Sequence, residues 1–158
     1  MANQNEIFLR QAIDLAVDNV KGQLGGPFAA IVVKDGEVIA SGTNRVTHDN
    51  DPTAHAEVVA IRAACQRLRS FQLDGCEVYT SCEPCPMCLG AIYWARVKAF
   101  YFAADKDDAA RGQFDDSFIY SELNKPVAAR TIPGYRLLAA EGFRPFEEWL
   151  QSQNKVRY

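Results

Sequence analysis

An α/β fold, one mixed sheet flanked by helices, is predicted by three observations on this 158-residue chain. Segments with helical apolar spacing alternate with short apolar strands. Two of those strands are joined through Asp35-Gly36, a favoured hairpin turn pair. A hydrophobic content of 48% is ordinary for a globular protein, and a chain of this size can bury roughly 70% of its unfolded surface in one core.

The elements follow in order. Ile7, Ala12, Leu15 and the small residues around them predict an amphipathic helix over residues 3–20, ended by Gly22 and the Gly25-Gly26-Pro27 break. Phe28 to Val33 and Val38 to Ala40 form the hairpin across Lys34-Asp35-Gly36-Glu37. Residues 54–69 are expected as a helix with Val58, Ile61 and Cys65 inward, then 77–80 as a strand, 86–95 as a helix and 98–103 as a strand. Proline is tolerated in a first helical turn, and Pro52 and Pro84 stand just ahead of the two later helices. After Gly112 the pattern loosens into short elements near 116–123 and 136–139 and a helix from Pro145 to Gln151. No repeat, low-complexity tract or interdomain linker interrupts the chain, so residues 1–158 are expected to form a single domain.

Charge and cysteine usage narrow the function classes. The net charge is −3, and around the tail from Pro145 to Tyr158 Arg144 and Lys155 are balanced by Glu147 and Glu148, which speaks against the basic patch a nucleic-acid partner needs. Met1 to Leu24 holds Glu6, Asp14 and Asp18 and no apolar run, so neither a signal peptide nor a membrane span is expected there. Five cysteines, an odd number with three clustered, argue against a disulfide framework and for a cytoplasmic protein with reduced thiols.

The chemistry lies in two clusters, His55-Ala56-Glu57 and Pro84-Cys85-Pro86-Met87-Cys88. One imidazole and two thiolates are three good zinc ligands, and a carboxylate that need not bind the metal suits the proton traffic of a zinc-activated water. A catalytic zinc keeps its fourth position open, whereas a structural zinc is closed by four protein ligands. Cys82 is the candidate fourth ligand, which leaves a structural His55/Cys82/Cys85/Cys88 site as an alternative. An iron–sulfur run would require Cys and Pro where Ile92 and Tyr93 stand. Cys65 and Cys76 have no ligand spacing and are expected as small buried hydrophobes. Cys85 and Cys88, three apart, share a helix face; His55 and Glu57, two apart, are expected at a loop-to-helix junction. Positive helix N-termini at both clusters would favour thiolates and a bound anion, and the first N–H groups of the second helix would face a developing oxyanion. His48 lies outside the ligand spacing and is expected in a loop.

His-x-Glu followed by Pro-Cys-x-x-Cys is the signature of the zinc nucleobase deaminases. Gly25-Gly26-Pro27-Phe28, the stretch Asn50 to Glu57, the run Thr80 to Arg96 and Phe114 to Tyr120 closely resemble bacterial guanine deaminases of the cytidine deaminase-like superfamily, over nearly the whole chain. The resemblance implies a three-layer α/β/α fold, a zinc ion on His55, Cys85 and Cys88, and Glu57 as the catalytic proton shuttle. Zinc-activated water would attack the amino-bearing C2 of guanine, giving xanthine and ammonia. Asn44, Asp116 and Tyr158 would contact the purine, and Phe28 and Trp94 would help enclose it. It further implies a homodimer in which residues 143–158 act as a lid or a segment swapped between chains; Phe143, Phe146, Trp149 and Leu150 supply the apolar surface.

Each substrate residue has a plainer competitor. Asn44 could cap a loop, Phe28 and Trp94 could be core, Asp116 could cap a helix and Tyr158 could be a frayed terminus. An acid suits guanine because N1–H and the 2-amino group are donors; Asp115 is expected as a solvated neighbour. Rival functions are a tRNA adenosine deaminase, a deaminase of cytosine, cytidine or a riboflavin precursor, and a non-enzymatic structural zinc module.

Overall fold

Asn3 opens the first helix, its side chain accepting from the Asn5 backbone N–H at 3.3 Å, and α1 then runs Gln4–Lys21. The computed structural model describes residues 3–158, which fall into two compact units, one reaching to Asp116 and the other Ser117–Tyr158. In the first unit follow β1 (Ala29–Lys34), β2 (Glu37–Thr43), α2 (Val46–Asp49), α3 (Ala56–Leu68), β3 (Cys76–Cys82), α4 (Pro86–Ala95), β4 (Ala99–Ala104) and α5 (Lys106–Arg111). The hairpin turn is the one expected: Asp35 and Gly36 have φ of 51° and 81°, the left-handed pair that matches strand twist. Strand β2 runs three residues beyond Ala40, to Thr43.

One mixed sheet orders the strands β2-β1-β3-β4, with β1 antiparallel to both neighbours and β3 parallel to β4. Alternation along the strands divides the core in two. Ile31, Val33 and Tyr79 face Phe8 of α1, the Phe8 and Tyr79 rings lying 5.0 Å apart. Ala30, Val32 and Val78 face Ala56, Ala60 and Ala64 of α3, together with Ala95 at the end of α4. Helices thus cover both faces of the sheet, the three-layer arrangement that was expected.

Three expectations are corrected here. On α3, Ile61 and Cys65 pack partly buried against the core as expected, but Val58 does not join it, and the fully buried positions are Ala56, Ala60 and Ala64. Gly42 on β2 lets the helix backbone come close: a Cβ there would stand 2.4 Å from the Ala56 carbonyl oxygen, 2.5 Å from the Ala60 nitrogen and 3.0 Å from the Val59 Cβ, so no side chain fits on the strand at that point. The proline in the first turn of α4 is Pro86, one residue after the N-cap Cys85, rather than Pro84. His48 belongs to the short helix α2, its Nδ1 2.6 Å from Asp49 Oδ1, rather than to a loop.

The second unit holds α6 (Ser117–Leu123), a 3-10 turn at Val127–Ala129 and α7 (Arg144–Gln151). No regular element forms at 136–139. None of its residues is buried; Phe118, Ile132, Leu137, Phe146 and Leu150 are all exposed.

Gly42→Ala should displace the start of α3, because the atoms it meets are backbone and cannot rotate away. Overpacking of this kind costs about 1–3 kcal/mol. The expected outcome is a thermal midpoint lowered by roughly 2–10 °C for a chain of this size, with weaker metal retention, read by thermal denaturation and metal analysis.

Candidate active site

One end of the sheet gathers the sequence clusters. The start of β1 and the ends of β2, β3 and β4 lie there together, because Ala29 pairs with Thr43, Ala30 with Thr80 and Cys82 with Ala104. Backbone bonds stitch the segments leaving that end: Asn44 N–H to the Phe28 carbonyl (3.0 Å), Arg45 N–H to the Ala54 carbonyl (3.0 Å) and Glu83 N–H to the Ala104 carbonyl (2.8 Å). Ser81 Oγ accepts from Ala29 N–H at 3.1 Å. Helices α3 and α4 both begin at this edge.

His55 is the N-cap of α3, with φ −66° and ψ 154°, and Cys85 is the N-cap of α4; neither makes a side-chain cap hydrogen bond. Glu57 and Cys88 stand in the first turns that follow, the junction geometry expected for His55 and Glu57. The two Sγ atoms of Cys85 and Cys88 are each 3.5 Å from His55 Nδ1, and the three donor atoms lie within 4.8 Å of one another. Zinc bonds of about 2.3 Å to sulfur and about 2.0–2.1 Å to nitrogen, at a tetrahedral angle, put S and N about 3.5 Å apart. The donor set and its spacing therefore fit a zinc ion.

Electrostatics agree. Cys88 and the His55 imidazole hold the Cys85 thiol down to about 4 despite its burial, while contact with Cys85 and burial push Cys88 up. Contact with Cys85 raises His55 in turn. A cation among these groups would favour both thiolates. Glu57, 7% exposed, is outside the three-residue group; burial raises its carboxyl, partly offset by a hydrogen bond from Cys88. It is a buried carboxyl beside the three donors and not one of their group.

Cys82 does not complete a four-ligand set. Its thiol points to the Asp105 carbonyl oxygen at 3.7 Å, and burial, with the charges of Glu57 and Asp116, pushes it up to about 11. All five cysteines are free.

The substrate candidates divide. Asn44 is buried, and its Oδ1 accepts from both Gly26 N–H and Val46 N–H, at 3.3 Å each. Phe28 is half-buried and meets the ring of Phe114 edge-on at 5.0 Å. Burial and the nearby Cys85 raise Asp116, which places its carboxyl within the field of the ligand group. Trp94 is 66% exposed in the last turn of α4, so it is not core, and six helical positions separate it from Cys88. Tyr158 belongs to the second unit and is exposed. Two residues had no assigned role in the sequence: Phe114, which walls Phe28, and Asn19 of α1, 2% exposed, which donates to the carbonyls of Gly26 and Asn44.

Compared with known proteins, residues 2–104 match the family described as the cytidine and deoxycytidylate deaminase zinc-binding region. The chain belongs to this family of zinc-binding deaminases. It is 57% identical over 154 residues to guanine deaminase of Bacillus subtilis, spanning 98% of this chain and 99% of that protein. A crystal structure of guanine deaminase from Bacillus subtilis superposes with a TM-score of 0.96 at 56% identity, covering 100% of this chain and 99% of that one. A tRNA-specific adenosine deaminase of Aquifex aeolicus is 46% identical over 84 residues only, 53% of this chain and 54% of that protein.

Replacing His55, Cys85 or Cys88 by Ala should remove most bound metal and lower the thermal midpoint, since a metal that binds only the folded state stabilises it. Cys82→Ser should keep its metal. Metal content beside thermal denaturation checks both, and metal loss in Cys82→Ser would restore the closed structural site.

Proposed function

We propose that this chain hydrolytically deaminates guanine to xanthine and ammonia, with zinc held by His55, Cys85 and Cys88 and protons carried by Glu57. The observation that carries the reading is a three-donor group at two helix starts with a buried carboxyl beside it that is not a fourth ligand. Guanine follows from 57% identity over 98% of this chain to a guanine deaminase, where one tRNA-acting relative reaches 46% over 53% of it and another 41% over 82%. When bound, zinc supplies Lewis-acid activation of water near neutral pH.

Glu57 takes a proton from the attacking water as its oxygen joins C2, and delivers that proton to ring N3. The same carboxyl then moves the remaining hydroxyl proton to the amine, the C2–N bond breaks, ammonia leaves and C2 keeps a carbonyl. Burial raises the Glu57 carboxyl above the ordinary carboxylate range, which favours its taking up the proton that it must then pass on. Asn44 offers its amide NH2 to an acceptor on the purine, Asp116 accepts from guanine N–H donors, and Phe28 and Trp94 close the ring in. Tyr158 reaches the ligand from a lid.

The protein works as a cytoplasmic homodimer whose residues 143–158 close over an active site, swapped between chains. What supports this is the second unit itself: it buries none of its large apolar side chains, and α7 sets Phe143 against Phe146 at 5.6 Å between ring centroids with both exposed. Such a surface needs cover. The five free thiols suit a reducing compartment.

Glu57→Gln should keep zinc and fold while turnover falls by roughly 10²–10⁴, because the amide fills the space without shuttling a proton. Ammonia release from a panel of guanine, cytosine, nucleosides and tRNA, scored with metal content, checks both parts; full activity in zinc-loaded Glu57→Gln ends the mechanism, and turnover of tRNA or cytosine without guanine ends the substrate assignment.

Deleting Asn154 to Tyr158 should leave zinc and dimer mass nearly intact and lower guanine turnover or raise KM. Mixing that truncation with Glu57→Gln chains should restore activity if tails are exchanged, since one site in the mixed dimer then has both an intact Glu57 and a full tail. Unchanged kinetics in the truncation would make the tail a surface terminus.

A further inference from the structure

Asn19 stands on the last turn of α1, 2% exposed and far in sequence from both zinc-site clusters. Its Nδ2 donates to two main-chain carbonyls at once, that of Gly26 at 2.9 Å and that of Asn44 at 3.0 Å. Only an NH2 group can serve two carbonyls, so the orientation of the amide is settled by its partners. Its Oδ1 is buried without a partner among the described residues. A buried acceptor left unmet is unfavourable, and an apolar side chain of the same size would avoid it. The contribution of this amide therefore lies in the two carbonyls it holds.

Those carbonyls belong to the two segments that meet at the proposed substrate pocket, the Gly25-Gly26-Pro27-Phe28 loop and the chain leaving β2. They are packed backbone to backbone: a Cβ on Gly25 would lie 2.1 Å from the Asn44 carbonyl oxygen and 3.1 Å from Asn19 Nδ2. With the main chain so held, the Asn44 side chain has one orientation. Its Oδ1 is engaged by the N–H groups of Gly26 and Val46, and no acceptor among the described residues takes its NH2. Asn44 is thereby a donor only.

We infer that Asn19 is a positioning residue for substrate recognition: by fastening Gly26 and Asn44 to α1, it fixes Asn44 with its NH2 toward the substrate, selecting an acceptor-bearing purine edge. The inference rests on the reading that Asn44 touches the purine. Asn19 itself touches no substrate. Loss of the amide frees the Asn44 side chain to turn, so binding weakens while zinc chemistry at Glu57 continues.

The test is steady-state kinetics on zinc-loaded full-length protein. Asn19→Leu and the smaller Asn19→Ser should raise KM for guanine about tenfold, the loss of one oriented hydrogen bond, with kcat per bound zinc within about threefold. Asn44→Ala should act in the same direction, and Asn19→Leu on top of Asn44→Ala should add no further rise, because the first residue works through the second. Ala12→Gly, which weakens α1 at a buried position away from the loop, should lower the thermal midpoint with KM unmoved. If Asn19→Leu fails to fold, Asn19→Ser is scored alone and in the Asn44→Ala background. An unmoved KM in a folded Asn19 variant, or a full additive rise in the double variant, overturns the inference. Wild-type protein inactive on guanine overturns the functional reading instead, and the same variants are then scored on the base it does turn over.

Discussion

The seat of α3 on β2 at Gly42 governs the site. Because a carbonyl oxygen and an amide nitrogen of the helix occupy the space where a Cβ would be, the helix axis lies closer to the sheet than larger side chains would allow. Ala56, Ala60 and Ala64 are the side of the helix that tolerates this approach. His55 caps that helix and Glu57 follows two residues on, so a backbone contact sets where the imidazole and the carboxyl stand, beside the Cys85 and Cys88 thiols that they meet. On the same face Ala95, at the far end of α4, joins the core cluster and anchors the helix that carries the two thiols.

Environment divides the titratable groups into roles. Cys85 and Cys88 share hydrogen bonding with each other and with His55, which stabilises negative charge on one sulfur while the other keeps its proton. Cys82, only three residues before Cys85, is buried against the Asp105 carbonyl, where a neutral thiol is favoured. Three cysteines in one short run thus have two fates, decided by what each faces. Glu57 stands outside the three-donor group yet near enough to accept from Cys88, a desolvated carboxyl beside the thiols.

Much of this was legible in the sequence, for identifiable reasons. The Asp35-Gly36 turn and the bounds of α4 follow from local signals, turn chemistry and a proline-flanked apolar run. The three donors that the structure brings together, His55, Cys85 and Cys88, were marked by residue type and spacing. The inward face of α3 was legible only in part: apolar patterning finds Ile61 and Cys65, which pack against the core, but not the fully buried Ala56, Ala60 and Ala64. Helix α5 had a signal that went unused, the Asp105 and Asp108 capping box. The four-residue α2 has no comparable mark. Asn19 looks like an ordinary polar residue near a helix end, and the Phe28 and Phe114 pair is 86 positions apart, so neither contact has a local trace.

His55 and Cys85 are 30 positions apart, and the span between them contains the whole of α3 and β3. An ion held between them would fasten the two ends of that span together in the folded chain, so that its binding free energy would add to folding as well as supply chemistry. Metal supply would in that case set the folding yield of the protein before it ever sets a rate.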